Sequence, residues 1–294
     1  MTAQPRSAAL RRILRLSACG ALLAAALGGC STVNGALSAG APESEDAAYV
    51  GSPANIESLT DVVRRNPNDP QAYNMRGSVL GESGRYPEAL ADFNKAITLD
   101  PNYAQAYSNR GLVYRQTGKI DLALADYNKA LSIDPNYAPA YLGRGMVYRQ
   151  QKKLLPALQD FNKAIALRPD NAEAYYNRGM LYQSQHQHSF AIDDFTTAIG
   201  LTQQQAAPYI ARGLSYMAIN NNKDAASDLD QAVSIEPQSV QAWISRGLAY
   251  ERLGDKQKAA GSYARAMNID QNNAVARASF QRVGGKFGEA YQTF

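Results

Sequence analysis

"YSNRGLVYRQTGKIDLALADYNKALSIDPN", residues 107–136, decides how the chain is built. Tyr107, Arg110-Gly111 and Tyr114 fall at helical spacing. A Gly118-Lys119 turn follows, and Leu122, Ala123, Tyr127, Ala130 and Leu131 form a second stripe of the same period. This pattern predicts two antiparallel helices. Asp134-Pro135 then ends the second one, because the residue before a proline disfavours helical geometry. The glycine inside the first stripe needs a reason, since it costs roughly 1 kcal/mol in a helix interior relative to alanine.

Recurrence supplies the reason. The Arg-Gly pair stands at Arg76-Gly77, Arg110-Gly111, Arg144-Gly145, Arg178-Gly179, Arg212-Gly213 and Arg246-Gly247, each step being 34 residues. Alanines keep the same register at Ala89, Ala123, Ala157, Ala191, Ala225 and Ala259, and again from Ala96 to Ala266. A fixed period of this length signifies stacked units that bury a shared core by contacting only their neighbours. The glycines then permit close approach of the two helices within each unit.

These landmarks resemble the tetratricopeptide repeat. In the fourth unit they are Tyr175, Gly179, Tyr182, Ala191, Phe195 and Ala198; Gln203 stands where repeats one, two, three and five have Pro101, Pro135, Pro169 and Pro237. Six repeats are assigned to residues 70–103, 104–137, 138–171, 172–205, 206–239 and 240–273. The resemblance implies an all-α solenoid of antiparallel helix pairs winding into a right-handed superhelix. Residues 53–69 are expected to form a capping helix, introduced by Ser52 and Pro53. Residues 274–294 are expected to close the other end with a helix and an aromatic tail of Phe287, Tyr291 and Phe294. That tail either covers the last repeat or enters the groove of a neighbouring copy.

The N-terminal segment addresses a compartment. Arg6, Arg11, Arg12 and Arg15 precede an apolar run from Leu16 to Leu27, which is shorter than the about 20 residues a membrane-spanning helix needs. Residues 1–29 therefore read as a secretory signal. The following "LGGC" resembles the lipobox of bacterial lipoproteins, so Cys30 would carry the lipid, palmitate included, and anchor the protein to a membrane. Residues 30–52, small and polar with a short acidic cluster, read as a tether with a reach of about 25 Å. By the family's sorting rule Ser31 favours the outer membrane in a Gram-negative host.

Removing the signal leaves 26 basic against 26 acidic residues, so the sequence pI near 8.9 belongs to the leader. No basic footprint for nucleic acid remains. With Cys30 lipidated, no thiol remains for a disulfide, and stability must come from packing.

Two sets of residues are candidates for function. Each repeat arginine has an acid 16 residues later, pairing Arg76 with Asp92, Arg110 with Asp126, Arg144 with Asp160, Arg178 with Asp194 and Arg212 with Asp228; the sixth repeat has Ser262 there. A ladder of structural ion pairs is expected, the alternative being an arginine row that binds a polyanion. The second set comes from the resemblance, which implies that the first helix of each repeat lines a concave groove. That mapping gives a polar start, including Ser108, Leu112, Arg115 and Gln116, followed by Leu142, Met146, Tyr176, Met180, Ile210, Leu214, Met217, Ile244 and Leu248. Such a strip suits adaptable protein contacts, or else packs along the inner row.

No phosphate-binding loop, nucleophile with a base, or metal-ligand set stands out; His186 and His188 read as a solvated turn. No enzyme activity, cofactor or metal is expected. The expected role is a periplasmic adaptor that binds protein or peptide clients in the groove at the envelope, with cell-wall enzymes or envelope assemblies as clients. A homo-oligomeric or fixed structural subunit and a peptidoglycan binder are the alternatives.

Overall fold

The computed structural model describes residues 52–289 and Tyr291. The signal segment, Cys30, the tether through Gly51 and Phe294 lie outside the described residues. Within them the chain forms fourteen helices and no strand. Helix α1 (Pro53–Arg65) leads. Six pairs follow: α2 (Pro70–Glu82) with α3 (Tyr86–Leu99), α4 (Ala104–Gln116) with α5 (Ile120–Ile133), α6 (Ala138–Gln150) with α7 (Leu154–Leu167), α8 (Ala172–Ser184) with α9 (His188–Leu201), α10 (Ala206–Ala218) with α11 (Asn222–Ile235), and α12 (Val240–Arg252) with α13 (Lys256–Ile269). Helix α14 (Ala274–Arg282) closes the stack. This is an all-α tetratricopeptide-type superhelix.

Local chemistry sets each boundary. The turn inside every pair places one residue in the left-handed region: Gly84, Gly118, Lys152, His186, Asn220 and Gly254. The following amide then reaches back to close the helix, as from Lys119 N–H to the Tyr114 carbonyl at 2.8 Å. Between pairs, the Asp100 and Asp134 carboxylates accept hydrogen bonds from the amides of Asn102 and Asn136, both at 2.9 Å, which turns the chain towards the next first helix.

The core is built at one spot per repeat. Ala89, Phe93 and Ala96 on α3 are fully buried, and their counterparts Ala157, Phe161 and Ala164 on α7 match them to within 1%. Opposite them a glycine lets the first helix approach the ring. A Cβ at Gly145 would lie 2.8 Å from the Phe161 ring, and one at Gly247 would lie 2.5 Å from Tyr263. The helical penalty of glycine is thus offset by aromatic packing.

Successive first helices also touch one another, α2 with α4, α4 with α6, and on to α12, which sets them as an inner row. At the C-terminal end, Phe280 of α14 receives Phe287 at 5.3 Å and Tyr291 edge-on at 5.5 Å between ring centroids. The tail thus lies against the last helix of its own chain, although Phe287 keeps 70% of its surface exposed.

Candidate functional site

The repeat arginines form a continuous polar ladder. Arg144 donates from Nε and Nη2 to the two carboxylate oxygens of Asp160, both at 2.8 Å. Arg76 with Asp92, Arg110 with Asp126, Arg178 with Asp194 and Arg212 with Asp228 make the same fork at 2.7 to 2.8 Å. The five aspartates are buried, and four of the arginines lie between the rings of two flanking tyrosines, Tyr141 and Tyr148 at 5.5 and 5.9 Å for Arg144, while Arg76 lies near that of Tyr73. The hydrogen bond to Asp160 raises the Arg144 pKa, with burial opposing it.

The third guanidinium nitrogen looks backward. Arg110, Arg144 and Arg178 donate from Nη1 to the side-chain oxygens of Asn94, Asn128 and Asn162, and Arg212 donates to Thr196. Each of these acceptors lies 16 residues before its arginine, in the preceding repeat. Arg76 reaches Thr60 of α1 in the same way at 3.4 Å, which sets α1 in the register of a second helix. Sequence reasoning followed the acids 16 residues after each arginine and missed this backward series, whose spacing was equally available.

The sixth repeat inverts the arrangement. Arg246 Nε donates to Asp230 of the preceding repeat at 2.6 Å, while Nη1 donates to Ser262 of its own repeat at 2.7 Å. Tyr250 donates its hydroxyl to the second oxygen of Asp230 at 2.8 Å. Burial first, and this hydrogen bond second, push the Tyr250 hydroxyl up to about 12. Arg246 is 2% exposed.

The inner row divides the apolar residues assigned to it. Leu142 and Met217 are each 3% exposed and belong to the core, so neither is a free groove side chain. Leu142 packs with Phe161 and Ala174, and Met217 with Leu229 and Tyr250. Ile210, Leu214, Ile244 and Leu248 are half-buried against the clusters around Tyr250 and Trp243. Met180 is half-buried against the Phe195 cluster. Met146 and Tyr176 come together in a pocket of about 560 Å³ that Arg115, Arg149 and Glu173 also line and that extends to Pro208 of α10.

Burial pushes the Glu173 carboxyl above the usual range, while Arg115 draws it down. Burial, followed by the repulsion of Arg115, lowers the Arg149 pKa. His186 and His188 face each other at 6.0 Å between ring centroids in the α8–α9 turn. Among the described residues no group of three or more His, Cys, Asp or Glu is placed to hold a metal ion.

Family models described as TPR repeat and tetratricopeptide repeat match residues 59–91, 77–118, 104–137, 145–186, 172–205 and 210–274. The chain is a tetratricopeptide-repeat protein. Among curated proteins no sequence matches it. Among solved structures, this TPR protein is similar to a chain of the APC/C hetero-tetramer Cut9-Hcn1, with a TM-score of 0.69 and 20% identity over 81% of its own length and 48% of that chain. It thus spans about half of that relative. It is also similar to pilF of Pseudomonas aeruginosa, with a TM-score of 0.65 and 19% identity over 74% of this chain and 97% of that one. YrrB, a TPR protein with an unusual peptide-binding site, matches with a TM-score of 0.55 and 24% identity over 64% of this chain and 97% of its own. These likenesses concern the fold. Repeats of this family typically serve as non-catalytic scaffolds for protein–protein interaction.

Proposed function

We propose that the protein is a lipid-anchored adaptor of the bacterial envelope that captures protein or peptide clients along the inner row of first helices. The observation that carries this is the pocket of about 560 Å³ spanning α6, α8 and α10, where Met146 and Tyr176 give an apolar floor and arginines a charged wall. Its size is that of a recognition site, and Met and Tyr suit adaptable contacts. The peptide-binding site of YrrB supports the same use of stacked repeats here. The basic leader, the "LGGC" sequence and the acidic tether support attachment through Cys30, and Ser31 supports the periplasmic face of the outer membrane.

The test is affinity capture from detergent-solubilised envelopes by the full chain and by a Met146→Glu/Tyr176→Ala variant with an unchanged circular dichroism spectrum. A defined set of proteins retained by the native chain and lost by the variant supports the adaptor. Equal retention by both would move the binding surface elsewhere.

A further inference from the structure

Two buried guanidinium nitrogens on the inner row, the Nε atoms of Arg115 and Arg149, have no hydrogen-bond partner among the described residues. Behind them on α5 lies the hydroxyl of Tyr127, a residue 1% exposed; burial raises its pKa, and Arg115 beside it draws it down in part. They converge. Arg115 and Tyr127 share one cleft with Gly143, Met146 and Glu173, and Arg115 and Arg149 share the adjoining pocket with Met146, Glu173 and Tyr176. Unsatisfied buried polar atoms are uncommon, and two on guanidinium groups that line one pocket point to something that completes them.

The repeat register explains how they arose. Arg149 donates to Asn177, 28 residues on, and Gln183 donates to the Ala211 carbonyl, again 28 residues on. The residue 28 after Arg115 is Gly143, which has no side chain to offer. Gly143 also makes room for the Tyr127 ring, whose counterparts in neighbouring repeats are Phe93 and Phe161. The consequence is an Arg115 guanidinium without the acceptor that Asn177 gives Arg149.

The ladder arginines each hold a carboxylate, whereas neither Arg115 nor Arg149 has one within 4.0 Å among the described residues. We propose that Arg115 and Arg149 form a subsite for the carboxylate of a Glu or Asp side chain within an extended segment of a protein partner. The proposal rests on the inner row being the partner surface. With Asp170 and Glu173 ionised, the five charged groups lining the pocket, Arg168 among them, carry a net single positive charge, which matches a carboxylate and not a phosphate dianion. An internal side chain fits because the pocket is a trough and not a dead end. It crosses from Arg115 on α4 to Pro208 on α10, and at about 10 Å per helix an extended chain covers that in about nine residues.

The test uses two bead-bound libraries of N-acetylated, C-amidated nonapeptides. Their outer positions are varied among Leu, Met, Tyr, Val, Ala and Ser, and the centre is fixed as Glu in one and Gln in the other. A third library keeps the central Gln but has a free C-terminal carboxylate. The native full chain should favour the Glu library by about tenfold, and high salt should shrink the preference. In an Arg115→Gln/Arg149→Gln variant with an unchanged melting profile, the ratio should fall to about one. Equal binding of Glu and Gln libraries by the native chain would overturn the subsite while leaving the groove in place, and it needs no variant. Preference for the free C-terminus over internal Glu would also overturn it. Binding to none of the three libraries would sink the groove as a peptide surface and the subsite with it.

Discussion

Arg246 binds Asp230 of the preceding repeat at 2.6 Å, where every earlier repeat arginine holds the aspartate of its own repeat. The exchange is complete: Ser262 stands at the usual acid position and Asp230 at the position of Asn94, Asn128, Asn162 and Thr196. The last two repeats are therefore joined by an ion pair, where at the interfaces between earlier repeats the arginine meets a neutral amide or hydroxyl. Removing one member of a buried pair costs about 3 to 5 kcal/mol, at the low end here because the Asp230 side chain is 39% exposed, while an exposed hydrogen bond from arginine to a neutral acceptor contributes about 1. Asp230→Ala should thus lower stability by about 3 kcal/mol and Asn128→Ala by about 1, read as shifts in the urea midpoint. Asp160→Ala should behave like Asp230→Ala. A negligible effect of either aspartate change would mean that solvent screens the ladder.

Two helical glycines should respond with opposite sign to the same substitution. At Gly145 a new Cβ would press on the Phe161 ring at 2.8 Å, whereas at Gly200, in α9, nothing lies within 4 Å. Gly145→Ala is expected to cost about 1 to 3 kcal/mol and Gly200→Ala to add up to about 1. Thermal melts of the two variants beside the native chain check both. A gain at Gly145 would show that the aromatic ring yields freely.

The left-handed turn residues give a second sign test. Lys152 has φ 58° at the position where Gly118 has φ 75°. A side chain in this region costs about 1 to 2 kcal/mol relative to glycine. Lys152→Gly should therefore stabilise by about 1 kcal/mol and Gly118→Ala destabilise by a similar amount, measured by denaturant titration. Loss of stability in Lys152→Gly would indicate that the lysine side chain contributes more than its backbone costs.

Much of the architecture was legible because one period governs it. Gly77 to Gly247, the paired alanines and the Asp-Pro-Asn turns each recur at 34 residues, and each has a local physical cause that a single repeat reveals. The surface was less legible. Leu142 and Met217 sit at groove-facing positions of their own helices, yet what covers them is Phe161 and Ala174 in one case and Tyr250 in the other. Periodicity along one helix does not report the neighbour's side chains. Asp230 was missed for a related reason: its partner belongs to the next repeat, so alignment of repeats by their own acids hides it. The vacancy beside Arg115 depends on Gly143 and Tyr127 together, and only the stacked repeats bring them into one place.

The proposed attachment through Cys30 has a direct consequence for fractionation. Cys30→Ser should block lipid addition and shift the protein out of the washed outer-membrane fraction. Metabolic labelling with palmitate should mark the native chain alone. Unchanged membrane association, or labelling of the variant, would remove Cys30 as the anchor.

Glu173 should set a pH dependence confined to one side of neutrality. Its pKa is raised, chiefly because burial disfavours the charged carboxylate, and Arg115 offsets this only in part. The groups lining its pocket are Arg115 from α4, Arg149 from α6, Arg168 and Asp170 from the turn between α7 and α8, and Tyr176 of α8. A carboxyl whose folded pKa exceeds its unfolded value holds its proton more tightly in the folded state. Stability from this source is therefore present below the ordinary value of 4.5 and is lost as pH rises through the folded pKa. Glu173→Gln removes the penalty. The variant should match the native chain near pH 4.5, exceed it increasingly as pH rises, and hold a constant advantage above the folded pKa. Urea midpoints across that range measure this difference, in which titrations common to both chains cancel. A gap that widens towards low pH would mean instead that the ionised carboxylate is held by Arg115 as a stabilising partner, leaving less positive charge for a client's acid.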